Sequence, residues 1–366
     1  MKKKVVFTLL FIFLAILPAL YSGLFLGAIR DPYGKTDQIP VALVANYKDQ
    51  RSSIYQSIKD TKIFDFKQED LATAKQELKT GKVYGILSFE PNFSDDLEKF
   101  IMTNKPAHIR LYTSSSLNFS AQKILTTATT EIVEKVNQKL ATNALAKASA
   151  ATLPIPSKIT NMVVLKTHDI TPVKNNAEGL APYFFALTLF VGGIFINQIF
   201  TRLFASKKGK FKSFYLWQFS GPAFMSICQA AIVTLLTTLI FHFTTVSWVG
   251  LFGFLILLAW TFDSLIIALN RLFPNFGVLI VLVLLMLQTS MAGGSYPLIL
   301  SDPIFQNASQ FLPMTYGVLG LRKFFNLGLS GIWGQIWPLL VFLAVGQILI
   351  ALAYFWHERH SKYRTQ

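Results

Sequence analysis

Two stretches of this 366-residue chain pair reactive residue types with apolar surroundings. Asp263 interrupts the apolar run 248–269. An acid there costs about 2.5–3.5 kcal/mol on insertion scales, so it serves a pathway or is satisfied by packed polar groups such as Gln229 or Asn197. Arg271, two helical turns on, is about 12 Å away along a helix axis and is not expected as its direct partner. The second stretch, 201–213 (TRLFASKKGKFKS), sets Leu203, Phe204 and Phe211 among Arg202, Lys207, Lys208, Lys210 and Lys212. Topology alone needs its charges but not its apolar residues, so the segment is either a topological signal or a docking surface.

Other chemistry is missing. A P-loop needs G-x-x-x-x-G-K-[ST], but Val83 follows Gly81-Lys82 and Phe211 follows Gly209-Lys210. His357 and His360 stand at i, i+3, which fails H-E-x-x-H, and no G-x-S-x-G elbow occurs. One Cys and five His leave little for a metal cluster, and no cofactor or metal site is expected. Asn118-Phe119-Ser120 fits a glycosylation acceptor, a triplet frequent by chance. An enzyme with its own chemistry is not expected.

These residues must be positioned by membrane helices. The chain is 52% hydrophobic and only 14% charged, where soluble domains carry about a quarter charged residues. Apolar runs of about 18 residues or more cross a ~30 Å hydrocarbon core. Such runs occupy 5–29, 180–200, 214–243, 248–269 and 333–356, with a shorter one at 276–292. The first follows Lys2–Lys4 and is too long for a cleaved signal peptide, so it reads as a retained anchor. The expected fold is an α-helical polytopic membrane protein of six transmembrane helices, with an α/β domain inserted between helices 1 and 2. Its parts are the anchor 1–29, the insert 30–178 and a five-helix domain 179–366 ending in a basic tail.

Charge sets the expected orientation. Outside 30–178 there are 14 Lys/Arg and three acids (Asp263, Asp302 and Glu358), and an inside N-terminus puts 12 of the 14 on the cytoplasmic side. Only Arg322 and Lys323 fall outside. The net charge of +15 is then mostly a positive-inside signature of a plasma-membrane protein, and nucleic acid is not an expected partner. Both termini are expected to be cytoplasmic, with 30–178 extracytoplasmic.

Periodicity gives the insert strands at 39–45, 83–89, 108–112 and 162–168, and helices at 52–60, 68–80 and 92–102. From 117 to 152 there is neither Gly nor Pro, and Ile124, Ala128, Ile132, Val136 and Leu140 recur every four residues, predicting one long amphipathic helix. Near the other end, 295–325 carries Pro297, Pro303 and Pro313 between apolar stretches too short to cross. Segments 305–312 and 315–325 suit short re-entrant helices, and Asp263 and Pro313 are the candidate pathway or gate residues.

Several motifs carry a resemblance. Asp31-Pro32-Tyr33-Gly34 followed by Ile39-Pro40-Val41-Ala42-Leu43-Val44, and Gly179-Leu180-Ala181-Pro182-Tyr183-Phe184 at the second span, resemble the YhgE/Pip (phage infection protein) family. Gly293-Gly294-Ser295-Tyr296-Pro297, Phe311-Leu312-Pro313-Met314-Thr315-Tyr316 and Arg322 are similar to the last part of ABC-2-type export permeases. The long coiled-coil insert of larger YhgE/Pip members is absent. The resemblance implies a permease subunit with no directly bound cofactor, driven by ATP through a partner ATP-binding subunit. That subunit would meet the loop holding Arg202, Leu203, Phe204, Lys207, Lys208, Lys210 and Phe211, whose cations also suit anionic membrane lipid. A second permease copy or paralogue would complete the pathway, and substrates would be lipophilic, drug-like, peptide-like or polymeric. The alternative within the same resemblance is a non-transporting surface protein, a phage receptor or secretion scaffold.

Overall fold

The computed structural model describes residues 16, 18–28, 31, 34–151, 161–204, 211–274, 276–294 and 296–362. The chain forms two compact units, one of Met1–Arg30 with Asn175–Gln366 and one of Asp31–Lys174. A short apolar helix, α1 (Pro18–Ala28), belongs to the first; the rest of the run expected at 5–29 lies outside the described residues, apart from Ile16.

The second unit alternates strand and helix: β1 (Pro40–Val44), α2 (Tyr47–Gln50), α3 (Ser53–Asp60), β2 (Asp65–Gln68), α4 (Leu71–Thr80), β3 (Gly85–Phe89), α5 (Phe93–Thr103), β4 (Ala107–Thr113), α6 (Phe119–Ala151) and β5 (Val163–Asp169). The sheet order is β2-β1-β3-β4-β5, parallel except where β3 meets β4. Val41, Leu43, Ile86, Leu87, Ile109 and Leu111 are all essentially inaccessible, as expected of strands covered on both faces. Ser52 and Asp70 cap α3 and α4 by accepting from Tyr55 N and from Ala72 N and Thr73 N. Gly81, at φ +82°, ends α4 in the left-handed conformation that its position requires.

All four predicted strands are present, and a fifth, β2, adds a polar edge with the sequence Asp65-Phe66-Lys67-Gln68. The long helix is α6, and its buried face differs from the expected row. It runs through Ala121, Ile124, Leu125, Thr129, Ile132, Val133 and Asn137, because a strict four-residue repeat drifts around a 3.6-residue helix. Asn137 accepts from Val163 N at 2.9 Å and donates to Val163 O at 2.7 Å, tying α6 to the start of β5. Asn118 is buried and accepts from Ala121 N, so its glycosylation triplet is closed.

The remaining elements are α7 (Asn176–Phe204), α8 (Phe211–Leu235), α9 (Trp248–Leu272), α10 (Gly277–Met291), α11 (Pro303–Ser309), α12 (Pro313–Arg322) and α13 (Trp333–Lys362), with π turns at Leu236–Ile240 and Lys323–Leu327. Among the described residues four helices are long and apolar enough to cross a membrane: Asn176–Ile199, Phe214–Ile240, Trp248–Leu272 and Trp333–Trp356. The fifth expected span is a 15-residue helix, α10, about 22 Å long, which falls short of a ~30 Å core by itself. Helix α9 is the hub, touching α7, α8, α10, α12 and α13, with Leu255, Leu258, Phe262 and Ile266 fully buried. The expected short helices of 295–325 are α11 and α12; the second ends at Arg322 and passes into the π turn.

Candidate functional site

Asp263 is fully buried on α9. Ser226 of α8 donates to its Oδ2 at 3.0 Å and lies 2.8 Å from the Pro222 carbonyl. Its Oδ1 has no hydrogen-bond partner among the described residues. A Cβ on Gly193 of α7 would lie 2.5 Å from that oxygen, and one on Gly192 would lie 2.3 Å from Gln229 Nε2, so the glycine pair brings α7 against both side chains. Sequence reasoning named Gln229 and Asn197 as possible partners; the bond comes from Ser226, almost one turn before Gln229. Ser226 was not singled out from the sequence, although it lies about one helical turn before Gln229 on the same helix. Arg271 sits elsewhere, its guanidinium 5.4 Å from the Phe214 ring centroid. Beside Asp263 on α9, Ser264 accepts from Gln347 of α13 at 2.7 Å, where Gly346 admits close approach.

A second cluster surrounds Pro313, the first residue of α12. Proline there has no N–H to satisfy, and the next one, Met314 N, donates 3.0 Å to Oε1 of the buried Gln288 on α10. Gly317 and Gly320 seat α12 on α9: added Cβ atoms would come within 2.6 Å of Leu258 and 2.1 Å of Phe254. At the far end of α12, Arg322 is buried and its Nη2 donates to the carbonyls of Gly293 (2.9 Å) and Gly294 (3.2 Å). Tyr183 of α7 covers Gly294 and donates to Thr289 O at 3.2 Å. Three motifs distant in sequence therefore meet in one cluster. Pro313 and Asp263 belong to separate clusters, and α9 supports both.

The segment 201–213 is shorter than a free loop. Arg202, Leu203 and Phe204 form the last turn of α7; Lys207, Lys208 and Lys210 lie outside the described residues. Phe211 opens α8, and its ring stacks on Phe355 at 4.8 Å and packs on Tyr354 at 5.1 Å. It is thus held against α13.

In the α/β unit the charged groups pair at the surface. Lys48 bonds Asp95, which raises the Lys48 ammonium above its usual range and holds the Asp95 carboxyl below its own. Glu90 accepts from Arg110 at 2.6 Å with Lys166 at 3.7 Å. Among the described residues no group of three or more His, Cys, Asp or Glu side chains is placed to hold a metal ion.

A family model described as "ABC-2 family transporter protein" matches residues 7–355. The chain is 31% identical over 196 residues to the "Uncharacterized protein YhgE" of Bacillus subtilis (strain 168), an alignment covering 52% of this chain and 25% of that one. The chain thus spans about a quarter of the curated relative it matches. No solved structure matches. The resemblance read from the motifs is borne out by both matches.

Proposed function

Because the chain belongs to the ABC-2 family of transporter proteins, we propose that it is the permease subunit of an exporter driven by a separate ATP-binding subunit. The observation that carries this reading is the family match over 7–355, which takes in, to within one residue, the four long apolar helices found among the described residues. In this reading the apolar run 5–29 and α10 complete six spans. Both termini are cytoplasmic and 30–178 is extracytoplasmic, which the 12-of-14 charge asymmetry supports. A second copy or a paralogue closes the pathway. The cargo is lipophilic, drug-like, peptide-like or polymeric.

Coupling falls to the cytoplasmic segment 201–213. No Walker A exists in the sequence, so motion must enter through cytoplasmic segments. The turn between α9 and α10 is short. Leu203 and Phe204 dock in a groove of the ATPase, while Arg202, Lys207, Lys208 and Lys210 orient the segment or meet anionic headgroups. Phe211 steadies the start of α8 by its stack on Phe355. Changing Leu203 and Phe204 to Ser is the test. Insertion should persist while ATPase binding or stimulation is lost; normal recruitment and stimulation would leave the segment a topological signal only. A chain that binds phage through 30–178 and recruits no ATPase would instead support the surface-protein reading.

A further inference from the structure

The sheet of the α/β unit ends at β5, and the outer side of that strand is largely open. At the two ends of the β4–β5 ladder Ala107 N donates to Met162 O and Ile170 N donates to Thr113 O. Alternate residues of a parallel strand bond its neighbour, so 162, 164, 166, 168 and 170 serve β4. Val163, Leu165, Thr167 and Asp169 therefore aim their N–H and C=O groups outward. The first outward pair is filled: Asn137 of α6 accepts from Val163 N at 2.9 Å and donates to Val163 O at 2.7 Å, as a neighbouring strand would. Among the described residues nothing pairs with the outward groups of Leu165 and Thr167. The opposite edge, β2, has four residues, whereas β5 has seven. A long open edge is a template for an added strand.

Charge decides what this edge accepts. On one face of the sheet Arg110 stands opposite Lys166 and Tyr112 opposite His168. Glu90 accepts from Arg110 at 2.6 Å and lies 3.7 Å from Lys166, while Arg110 also donates to the Tyr112 hydroxyl at 3.2 Å. Lys75 Nζ is 5.0 Å from the Tyr112 ring centroid, and the His168 ring meets the same ring edge-on at 5.5 Å. In these contacts one acid stands against three cations, and Lys166 and His168 are exposed. Like charges directly opposite across strands destabilise a pair and opposite charges support it. A second copy of the chain would bring the same basic edge, so the complementary occupant is acidic.

We propose that the open edge of β5 takes an extended acidic peptide segment of another protein as a sixth strand. Its main chain pairs with Leu165 and Thr167, and its carboxylates lie on the face of Lys166 and Arg110. The residue opposite Lys166 makes no ladder bond to it, the position where side chains come closest in an antiparallel pair, which suits Glu or Asp there. The inference concerns the α/β unit alone and does not depend on the permease reading.

The test is binding of a fluorescent peptide of about eight residues, alternating Val and Glu, to the purified full chain in phosphatidylcholine nanodiscs. Saturable binding is expected, roughly tenfold weaker for the matching peptide of Val and Lys. Hydrogen exchange should slow at the Leu165 and Thr167 amides and stay unchanged at Lys166 and His168, which already bond β4. Thr167→Pro removes an outward N–H that β4 does not use, at an edge where proline is tolerated, and should weaken binding roughly tenfold. Lys166→Glu should weaken the Glu peptide and favour the Lys peptide, which keeps the test available if Thr167→Pro folds poorly. No saturable binding, equal affinity for both peptides, or binding without slowed exchange at 165 and 167 would overturn the proposal. Equal competition by inorganic polyphosphate with exchange unchanged would also overturn it and leave the face a general anion surface. An edge-to-edge dimer that Thr167→Pro dissolves would replace the acidic peptide by a second copy.

Discussion

Gly294 lies directly beneath the ring of Tyr183: a Cβ at position 294 would come within 1.8 Å of Tyr183 Cδ2. The two residues are more than a hundred positions apart, and Arg322 closes the arrangement by donating to the Gly293 and Gly294 carbonyls. The turn after α10 is therefore fixed from above by an aromatic ring and from the side by a buried guanidinium.

Gly294→Ala should destabilise the folded chain by about 1–3 kcal/mol, since overpacking forces a ring or backbone shift. Thermal unfolding in detergent measures this. Adding Tyr183→Ala should recover part of the loss, and a double-mutant cycle with no coupling would show that the ring is not what excludes a side chain there.

Arg322→Gln should cost about 1.5–3 kcal/mol by removing charge-assisted bonds to two backbone carbonyls, one of them buried. Limited proteolysis around 295–303 is the second readout. Faster cleavage there is expected, and cleavage identical to the parent chain would remove Arg322 from any role in holding the turn.

Much of this was legible before the structure. Gly293-Gly294, Pro313 and Arg322 were visible as motif residues, but spacing does not reveal which residue covers which, and Tyr183 meets Gly294 only through the packing of α7 on α10. Asp263 announced itself by its chemistry, whereas Ser226 did not, because a lone serine back-bonding to the carbonyl four residues earlier is ordinary in a helix. Strand β2 escaped notice because Asp65-Phe66-Lys67-Gln68 is four residues with one apolar side chain, the pattern of a protected edge. The π turn at Lys323–Leu327 was folded into one helix, since hydrophobic periodicity does not separate α from π over five residues.

The stability of α4 should fall in acid through Asp70. The Asp70 carboxyl is held below the usual carboxylate range, first by its side-chain bond to Thr73 and then by the Thr73 and Ala72 N–H groups. A depressed folded value means the stabilisation is complete above the unfolded carboxylate value, about 3.9, and is lost as pH falls through the lower folded one. Hydrogen exchange of the 71–80 amides across that window measures it. Asp70→Asn should keep the cap and flatten the pH dependence; an unchanged acid slope would contradict the assignment.

The topology is tested by labelling single cysteines in intact cells, in a Cys228→Ser background. Asp95→Cys should react with a membrane-impermeant maleimide and Gly209→Cys should not until the cells are opened. The reverse pattern would invert the orientation and move 201–213 away from any cytoplasmic ATPase.

The central claim, that this chain is the membrane half of an ATP-driven exporter, is tested most directly by purifying it from its own cells in mild detergent and reconstituting what accompanies it. The account predicts that an ATP-binding subunit carrying a Walker A motif co-purifies, and that its hydrolysis in liposomes rises several-fold when the chain is present. A chain that purifies as a lone monomer, recruits no ATPase and leaves ATP hydrolysis unchanged would contradict it.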